Sequence, residues 1–348
     1  MLLMKFGRSF SFAGAIFVAM LFAASVEAQS VSPAVGGARY ATDAYPGFDS
    51  EEDNVKPERK EPHWWWWVCG GVKCATAKEQ FAYCQQLIQE ESYSAACRQL
   101  DNLVREWPTA PEACKAQQQL AELYLEKLDD AEEAFKEFRY LLDFYSLTCD
   151  YGAIADRLYQ VANQLKLEGK EVMFVRFANT VDVRRAYETC VLRAPGAPWV
   201  ADAMLTIAAL REDEGKYAEA VKVYENLRNI HPDSEATKTA LAREAADRMV
   251  LLNDFGYNRA RCLDTADFMR MALRTCRPDD AVKLQENLIE ILTHLENEAY
   301  REARFYDAPT RTKRSAISAY ERFLVDYPKS VYADEVRARI EELKGSEK

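Results

Sequence analysis

Apolar residues recur three or four positions apart through most of the chain after the first 76 residues, which is the spacing of helices that bury one face. The clearest stretch covers residues 201–232, where two such faces are separated by a break at residues 214–217. The residues on these two faces are Met204, Ile207 and Ala208, and then Ala220, Tyr224 and Leu227. The pattern predicts two antiparallel helices joined by a short turn.

A frame of small, aromatic and proline positions accompanies this pattern. In the clearest unit, Ala208 and Ala220 stand at positions 8 and 20, Tyr217 and Tyr224 at positions 17 and 24, and Pro232 at position 32. Small residues let two helices approach closely, aromatic rings fill the space beside them, and proline prevents the helix from continuing. This frame resembles the tetratricopeptide repeat (TPR).

The same frame of small, aromatic and proline positions recurs in other parts of the chain. In unit one it is formed by Cys84, Tyr93, Ala96, Leu100, Leu103 and Pro108. Unit two has Ser146 where the proline would stand, and further units are predicted to stop at Pro195, Pro278 and Pro328. The stops are 38, 49, 37, 46 and 50 residues apart, so we expect longer helices or loops in units three, five and six.

The sequence therefore predicts an all-α fold. We expect a TPR-like α-solenoid of about six helical hairpins over residues 77–344, in which a last amphipathic helix at 331–343 forms the C-terminal capping helix.

The first 28 residues read as an export signal. Lys5 and Arg8 form a basic start, residues 10–24 are almost entirely apolar, and small residues precede a cleavage point after Ala28. The alternative is an uncleaved N-terminal anchor. Because Cys69 is the first cysteine of the chain, no lipobox cysteine follows the signal and direct lipidation is not expected. We expect a periplasmic protein that is associated with a membrane only peripherally, if at all.

Residues 29–62 lack an apolar period and are rich in Gly, Pro and acidic side chains, so we expect a disordered linker. Residues 63–76 form a segment rich in Trp and Cys that we interpret as an N-terminal cap. It contains Trp64, Trp65, Trp66 and Trp67 in an unbroken run. Two interpretations stay open for this run: an anchor for a partner or a membrane interface, or a cap that packs on the first repeat helix.

Nine cysteines in an exported chain favour disulfides, and at least one cysteine is left over. Positions 8 and 21 of unit one lie on facing helices, which makes Cys84 and Cys97 a candidate pair. The other candidate pairs are Cys69 with Cys74 and Cys114 with Cys149. A zinc site that includes His63 is the alternative to these disulfides, but no CxxC spacing supports it.

The composition and motifs argue against several classes of function. The net charge of −11 disfavours nucleic-acid binding, which needs a basic footprint. Only three histidines occur, and the chain has no GxGxxG, GxxxxGK[ST], GxSxG or HExxH motif. We therefore predict no enzymatic activity, no cofactor and no metal; the alternative is a cryptic enzyme or an enzyme accessory protein.

The inner face of the solenoid is the expected binding surface for a protein or peptide. At first-helix positions 2, 5, 9 and 12 of unit one stand Lys78, Phe81, Gln85 and Ile88, an apolar and polar-neutral set suited to an extended or amphipathic peptide. The alternative is that these side chains face the next hairpin.

Two regions carry a more specific resemblance. The sequences YSAACRQL at 93–100 and EWPTAPEA at 106–113 are similar to the first repeat of the BamD (YfiO/ComL) outer-membrane assembly lipoproteins. Near the C-terminus, REARFY at 301–306, AISAYERFL at 316–324 and YPKSVYA at 327–333 resemble the same family. The lipid-bearing cysteine of that family is missing, and the cysteine content is unusual for it.

The resemblance implies a non-enzymatic envelope scaffold that binds an outer-membrane assembly barrel protein or its clients. The alternative function is a periplasmic TPR coordinator of cell-envelope or cell-wall processes, of the Tol–Pal-associated type. The C-terminal pattern favours the BamD-like function.

Overall fold

The computed structural model describes Phe48 and residues 58–61, 71–171 and 180–345. This part of the chain contains thirteen α-helices and no strand. The helices are α1 (Ala77–Gln89), α2 (Tyr93–Glu106), α3 (Pro111–Glu126), α4 (Ala131–Phe144), α5 (Tyr151–Glu171), α6 (Thr180–Arg193), α7 (Val200–Asp213), α8 (Tyr217–Ile230), α9 (Glu235–Phe255), α10 (Arg259–Ala272), α11 (Pro278–Tyr306), α12 (Lys313–Asp326) and α13 (Ala333–Gly345). Successive helices pair into six hairpins, and α13 packs on the last one. The predicted all-α solenoid is confirmed.

The ends of the second helices follow from the residue that precedes proline. Trp107, His231 and Tyr327 cap α2, α8 and α12 with ψ angles of 61°, 59° and 64°. Proline disfavours the helical conformation of the residue before it, which forces the chain out of the helix at these points. Tyr145 caps α4 before Ser146 instead of a proline, and its ψ is 17°.

The starts of several helices are fixed by side-chain caps. The hydroxyl or carboxylate oxygen of Thr76, Asp130, Ser234 and Thr312 accepts a hydrogen bond from a backbone N–H in the first turn.

Pro278 does not end a helix, contrary to the prediction. It is the first residue of α11, where its missing N–H costs nothing, and α10 already ends at Ala272.

The fourth hairpin, α7 and α8, shows why the frame needs small residues. Ala208 and Ala220 are both fully buried in this hairpin. Gly215 makes the turn with a φ of +73°, a conformation that favours glycine.

The helices α5, α9 and α11 have 21, 21 and 29 residues, which accounts for the long spacings predicted for units three, five and six.

The core is divided along the solenoid. One cluster of buried apolar side chains extends from Phe48 to Ala240, a second from Leu241 to Leu295, and a third from Tyr300 to Leu343. The long helix α11 contributes Leu284, Ile291 and Leu295 to the second cluster and its last two turns to the third. Each repeat therefore packs mainly on its neighbours, as expected for a solenoid.

Candidate protein-binding surfaces

The predicted binding face of the first hairpin is partly covered by neighbouring elements. Phe81 and Ile88 are half-buried and pack against the first core cluster. The amide of Gln85 donates a hydrogen bond to Gln119 on α3, the first helix of the next hairpin. Only Lys78 is fully exposed. Phe81 and Ile88 therefore contact the core and Gln85 the next hairpin, and the binding role of this face stays a prediction.

Two other predictions concern residues that the structure does not describe. The signal at residues 1–28, most of the linker at 29–62 and the run Trp64–Trp67 lie outside the described residues, as does Cys69. These assignments stay predictions.

The eight cysteines of the described residues carry free thiols in the structure. Burial raises the pKa of Cys84 to about 12 and that of Cys97 to about 11. The thiol of Cys84 also lies near Cys74, and Cys149 lies near Cys114. Oxidation of Cys84 with Cys97, or of Cys114 with Cys149, stays a prediction that peptide mapping without reduction checks.

A groove of about 490 Å³ lies beside the sixth hairpin. It is lined by α11 and α12, together with Arg259, the first residue of α10. Its apolar lining residues are Ala299, Ala303, Ala319 and Phe323, and all four are buried or half-buried. The groove is therefore a depression between packed helices, and these four apolar side chains form part of its lining.

Charged side chains also line this groove. Arg259, Arg322, Glu302 and Asp326 are exposed, and none of them forms an ion pair within the described part of the chain. Such side chains keep their charges available to an incoming ligand, because no internal pair has to be broken first. Two guanidinium groups and two carboxylates in one groove suit a protein segment that carries charges of both signs.

The cap helix is fixed next to the groove. The Arg339 guanidinium of α13 contacts the Asp307 carboxylate after α11, with Nε 2.8 Å from Oδ2. This hydrogen bond lowers the pKa of Asp307 below its usual value. Tyr320 on α12 donates to the same carboxylate at 3.1 Å. Asp307 thus joins α11, α12 and α13.

A second polar cluster lies between the fourth and fifth hairpins. Asp247 on α9 is 4% exposed and lies beside Glu212 of α7, which itself pairs with Arg243 and accepts a hydrogen bond from Tyr224. Burial, followed by the neighbouring Glu212 charge, raises the pKa of Asp247 to about 7. Burial likewise raises the pKa of Glu244, which is 1% exposed, to about 7.

Comparisons with known proteins agree with this architecture. Residues 202–234 match the family model of the tetratricopeptide repeat. These residues contain both helices of the fourth hairpin, in which the sequence frame is clearest. The fold is an all-α TPR solenoid.

Two solved structures are similar to the TPR solenoid at low identity. One is a tetratricopeptide repeat protein from Parabacteroides merdae ATCC 43184, with 12% identity, a TM-score of 0.29, and coverage of 77% of this chain and 98% of that one. The other is the TPR2AB domain of yeast Sti1 in a complex with pHSP90, with 14% identity, a TM-score of 0.28, and coverage of 65% and 87%. No curated protein matches the chain.

Part of the predicted linker is ordered on the TPR solenoid. The ammonium group of Lys60 pairs with Asp101 on α2 and with Glu137 on α4, and Phe48 is buried in the first core cluster. Phe48 and residues 58–61 are the part of the predicted linker that the structure describes, and the prediction for the rest of residues 29–62 lies outside the described residues. The order of Phe48 and residues 58–61 depends on contacts with helices that lie far along the sequence.

Sequence reasoning also missed a buried ion-pair cluster between the third and fourth hairpins. Arg184 and Arg211 are at most 1% exposed, and both contact the Glu188 carboxylate, at 2.6 and 3.4 Å. Arg184 also reaches Glu214 at 2.8 Å. The i,i+4 spacing of Arg184 and Glu188 is the same as that of pairs on solvated helix faces, so the sequence alone does not distinguish them.

The described residues contain no group of three or more His, Cys, Asp and Glu side chains arranged to hold a metal ion. Among the helices that the structure describes, none combines the length and apolarity that crossing a bilayer requires.

Proposed function

We propose that this chain is a non-enzymatic scaffold of the bacterial envelope with a BamD-like role in outer-membrane protein assembly. TPR solenoids are protein-binding scaffolds, and this chain is a TPR solenoid. The envelope location is supported by the predicted signal at residues 1–28, and the assembly role by the family resemblance.

One observation carries the proposal. The groove beside the sixth hairpin takes most of its lining from the two segments with the C-terminal resemblance, 301–306 and 316–324. Glu302, Ala303 and Tyr306 come from the first segment. Ala319, Arg322 and Phe323 come from the second. The residues that resemble the family thus surround one accessible groove.

The lining suggests how a partner is held. The apolar lining residues suit a small apolar side chain of the partner. Arg259 and Arg322 attract carboxylates, and Glu302 and Asp326 attract basic groups. An exposed rim of charge contributes more to partner choice and association rate than to affinity. We therefore expect a partner segment with both signs of charge, presented by the periplasmic part of an assembly barrel protein.

Affinity capture from the native envelope tests this proposal. The tagged chain is compared with an Arg259→Ala/Arg322→Ala variant and with an Arg274→Ala/Arg314→Ala control, which removes two exposed arginines outside the groove lining. We expect the wild type and the control to retain an outer-membrane assembly barrel protein, and the groove variant to recover several times less of it.

Two results would count against the proposal. Equal recovery of the barrel protein by the groove variant would show that another surface holds the partner. Recovery of Tol–Pal components in place of the barrel protein would favour a coordinator of cell-envelope processes.

A further inference from the structure

Residues 58–61 lie against α2 and α4, the second helices of the first two hairpins, and their side chains are exposed except that of Lys60, which enters a slot lined by Asp101, Glu137 and Tyr140. The Lys60 ammonium lies 2.7 Å from the Asp101 carboxylate and 2.5 Å from that of Glu137, and the Lys60 side chain is only 14% exposed. Ion pairs withdrawn from water to this extent are stronger than those on an open surface.

The slot also contacts the main chain of the segment. The Lys60 N–H donates to the Tyr140 hydroxyl at 3.3 Å, and the Arg105 guanidinium donates to the Glu61 carbonyl oxygen at 3.2 Å. Burial raises the pKa of Tyr140, which keeps its hydroxyl neutral. Hydrogen bonds to the main chain of a segment are typical of sites that bind an extended peptide.

Aromatic rings complete the recognition of the two basic side chains. The Arg59 guanidinium carbon lies 5.2 Å from the centre of the Phe144 ring, and the Lys60 ammonium lies 5.2 Å from that of Tyr140. Both distances are within the range of cation–π attraction. Two carboxylates and the Tyr140 ring thus hold Lys60, and the exposed Arg59 lies over the Phe144 ring.

The walls of the slot are positioned by contacts of their own. The Gln117 amide on α3 donates to both the carboxylate and the main-chain carbonyl of Glu137. Arg105 holds the Asp101 carboxylate at 2.7 Å, one turn away on α2. The Gln117 contacts hold Glu137 without the segment, whereas Arg105 contacts both Asp101 and the Glu61 carbonyl.

We propose that this slot is a binding site for a protein segment that carries an Arg-Lys pair, and that residues 58–61 act as an intramolecular ligand that closes it. Nine residues, 62–70, connect the bound segment to the residue at which the described chain resumes. A connection of this length gives the segment a finite effective concentration at the slot, so a partner can displace it. The acidic net charge of the chain favours a basic partner as well.

A labelled peptide tests the proposal directly. The probe is an acetylated and amidated peptide with the sequence of residues 56–62, and its binding to the full chain is followed by fluorescence anisotropy. We expect Lys60→Ala to bind the probe at least about tenfold more tightly than the wild type, because the competing intramolecular ligand is gone. Lys73→Ala, which removes an exposed lysine outside the slot, serves as the matched control and should behave as the wild type.

Further variants separate recognition from a general loosening of the fold. Lys60→Met keeps the apolar stem and removes only the ammonium group, and it should also bind the probe more tightly than the wild type. Adding Asp101→Asn to either variant should abolish this gain in affinity. A probe with alanine in place of Arg59 and Lys60 should abolish it as well. Equal affinities for wild type and Lys60→Met, or no binding to any variant, would overturn the proposal and leave residues 58–61 as a structural tether.

Discussion

Asp247 is an acidic side chain in a position that disfavours its charge. It is buried on α9 beside Glu212, so both desolvation and a like charge oppose ionisation, and its pKa rises to about 7. An acid with a raised pKa stabilises the folded state below its unfolded pKa, and this contribution is lost as the pH rises toward the folded value.

The resulting prediction concerns stability between about pH 4 and pH 7. In this window the folded chain keeps a proton on Asp247 that the unfolded chain has released, so stability falls as the pH rises. Asp247→Asn keeps the shape of the protonated acid without its charge. We expect it to raise the free energy of opening of α9 at pH 8 by about 2–4 kcal/mol over the wild type, and to change little at pH 4.

Hydrogen exchange of α9, corrected for the intrinsic exchange rate, measures this difference. The control is Asp254→Asn, an exposed acid on the same helix, which keeps Asp247 and should lose as much stability between pH 4 and pH 8 as the wild type does. A variant less stable than the wild type at pH 8 would show that the Asp247 anion stabilises the fold.

At the scale of the helical element, the contact between α7 and α8 depends on two small residues. Ala208 and Ala220 are fully buried in this hairpin, so a larger side chain at 220 has to push the helices apart. Overpacking of this kind costs about 1–3 kcal/mol. Since each hairpin packs mainly on its neighbours, the damage should reach hairpins three and five before it reaches hairpin one.

We therefore expect Ala220→Leu to lower protection from hydrogen exchange in the middle hairpins while α1 and α2 stay protected. Ala218→Leu, which adds the same side chain at an exposed position of α8, should have little effect. One cooperative loss of protection that includes residues 77–106 would contradict the proposed independence of the repeats.

The helical elements were largely predictable because their causes are local. The pre-proline residues at Trp107 and His231 and the glycine turn at Gly215 fix helix boundaries through backbone sterics, which a single sequence displays. The prediction that Pro278 ends a helix is wrong because proline can either follow a helix or begin one. The sequence does not separate these two cases, whereas the observed end of α10 at Ala272 does.

The binding surfaces were less predictable because their causes are long-range. Residues 58–61 are wholly charged and read as disordered, yet Lys60 is fixed by residues 41 and 77 positions away. The segments with the C-terminal resemblance line the groove. Arg259 lies on α10, however, and it lines the same groove as Arg322 only because of how α10 packs against α11. Neither arrangement leaves a periodic signal in the sequence.

On the scale of the whole molecule, the proposed envelope role requires export. We expect the mature chain to start at Gln29, because the small residues before this point suit signal cleavage. N-terminal sequencing of the protein from the envelope fraction checks this. A chain that still begins at Met1 would indicate an uncleaved anchor, and a lipid adduct in the intact mass would contradict the absence of lipidation.

Site-specific photo-crosslinking in cells tests the central claim, that the groove beside the sixth hairpin binds an assembly barrel protein. A photoreactive residue replaces Ser318, which lines the groove, or Lys222, which is exposed on α8 outside it. The account predicts a crosslink from position 318 to an outer-membrane β-barrel protein and none from position 222. No such crosslink at 318, or equal crosslinking from both positions, would contradict it.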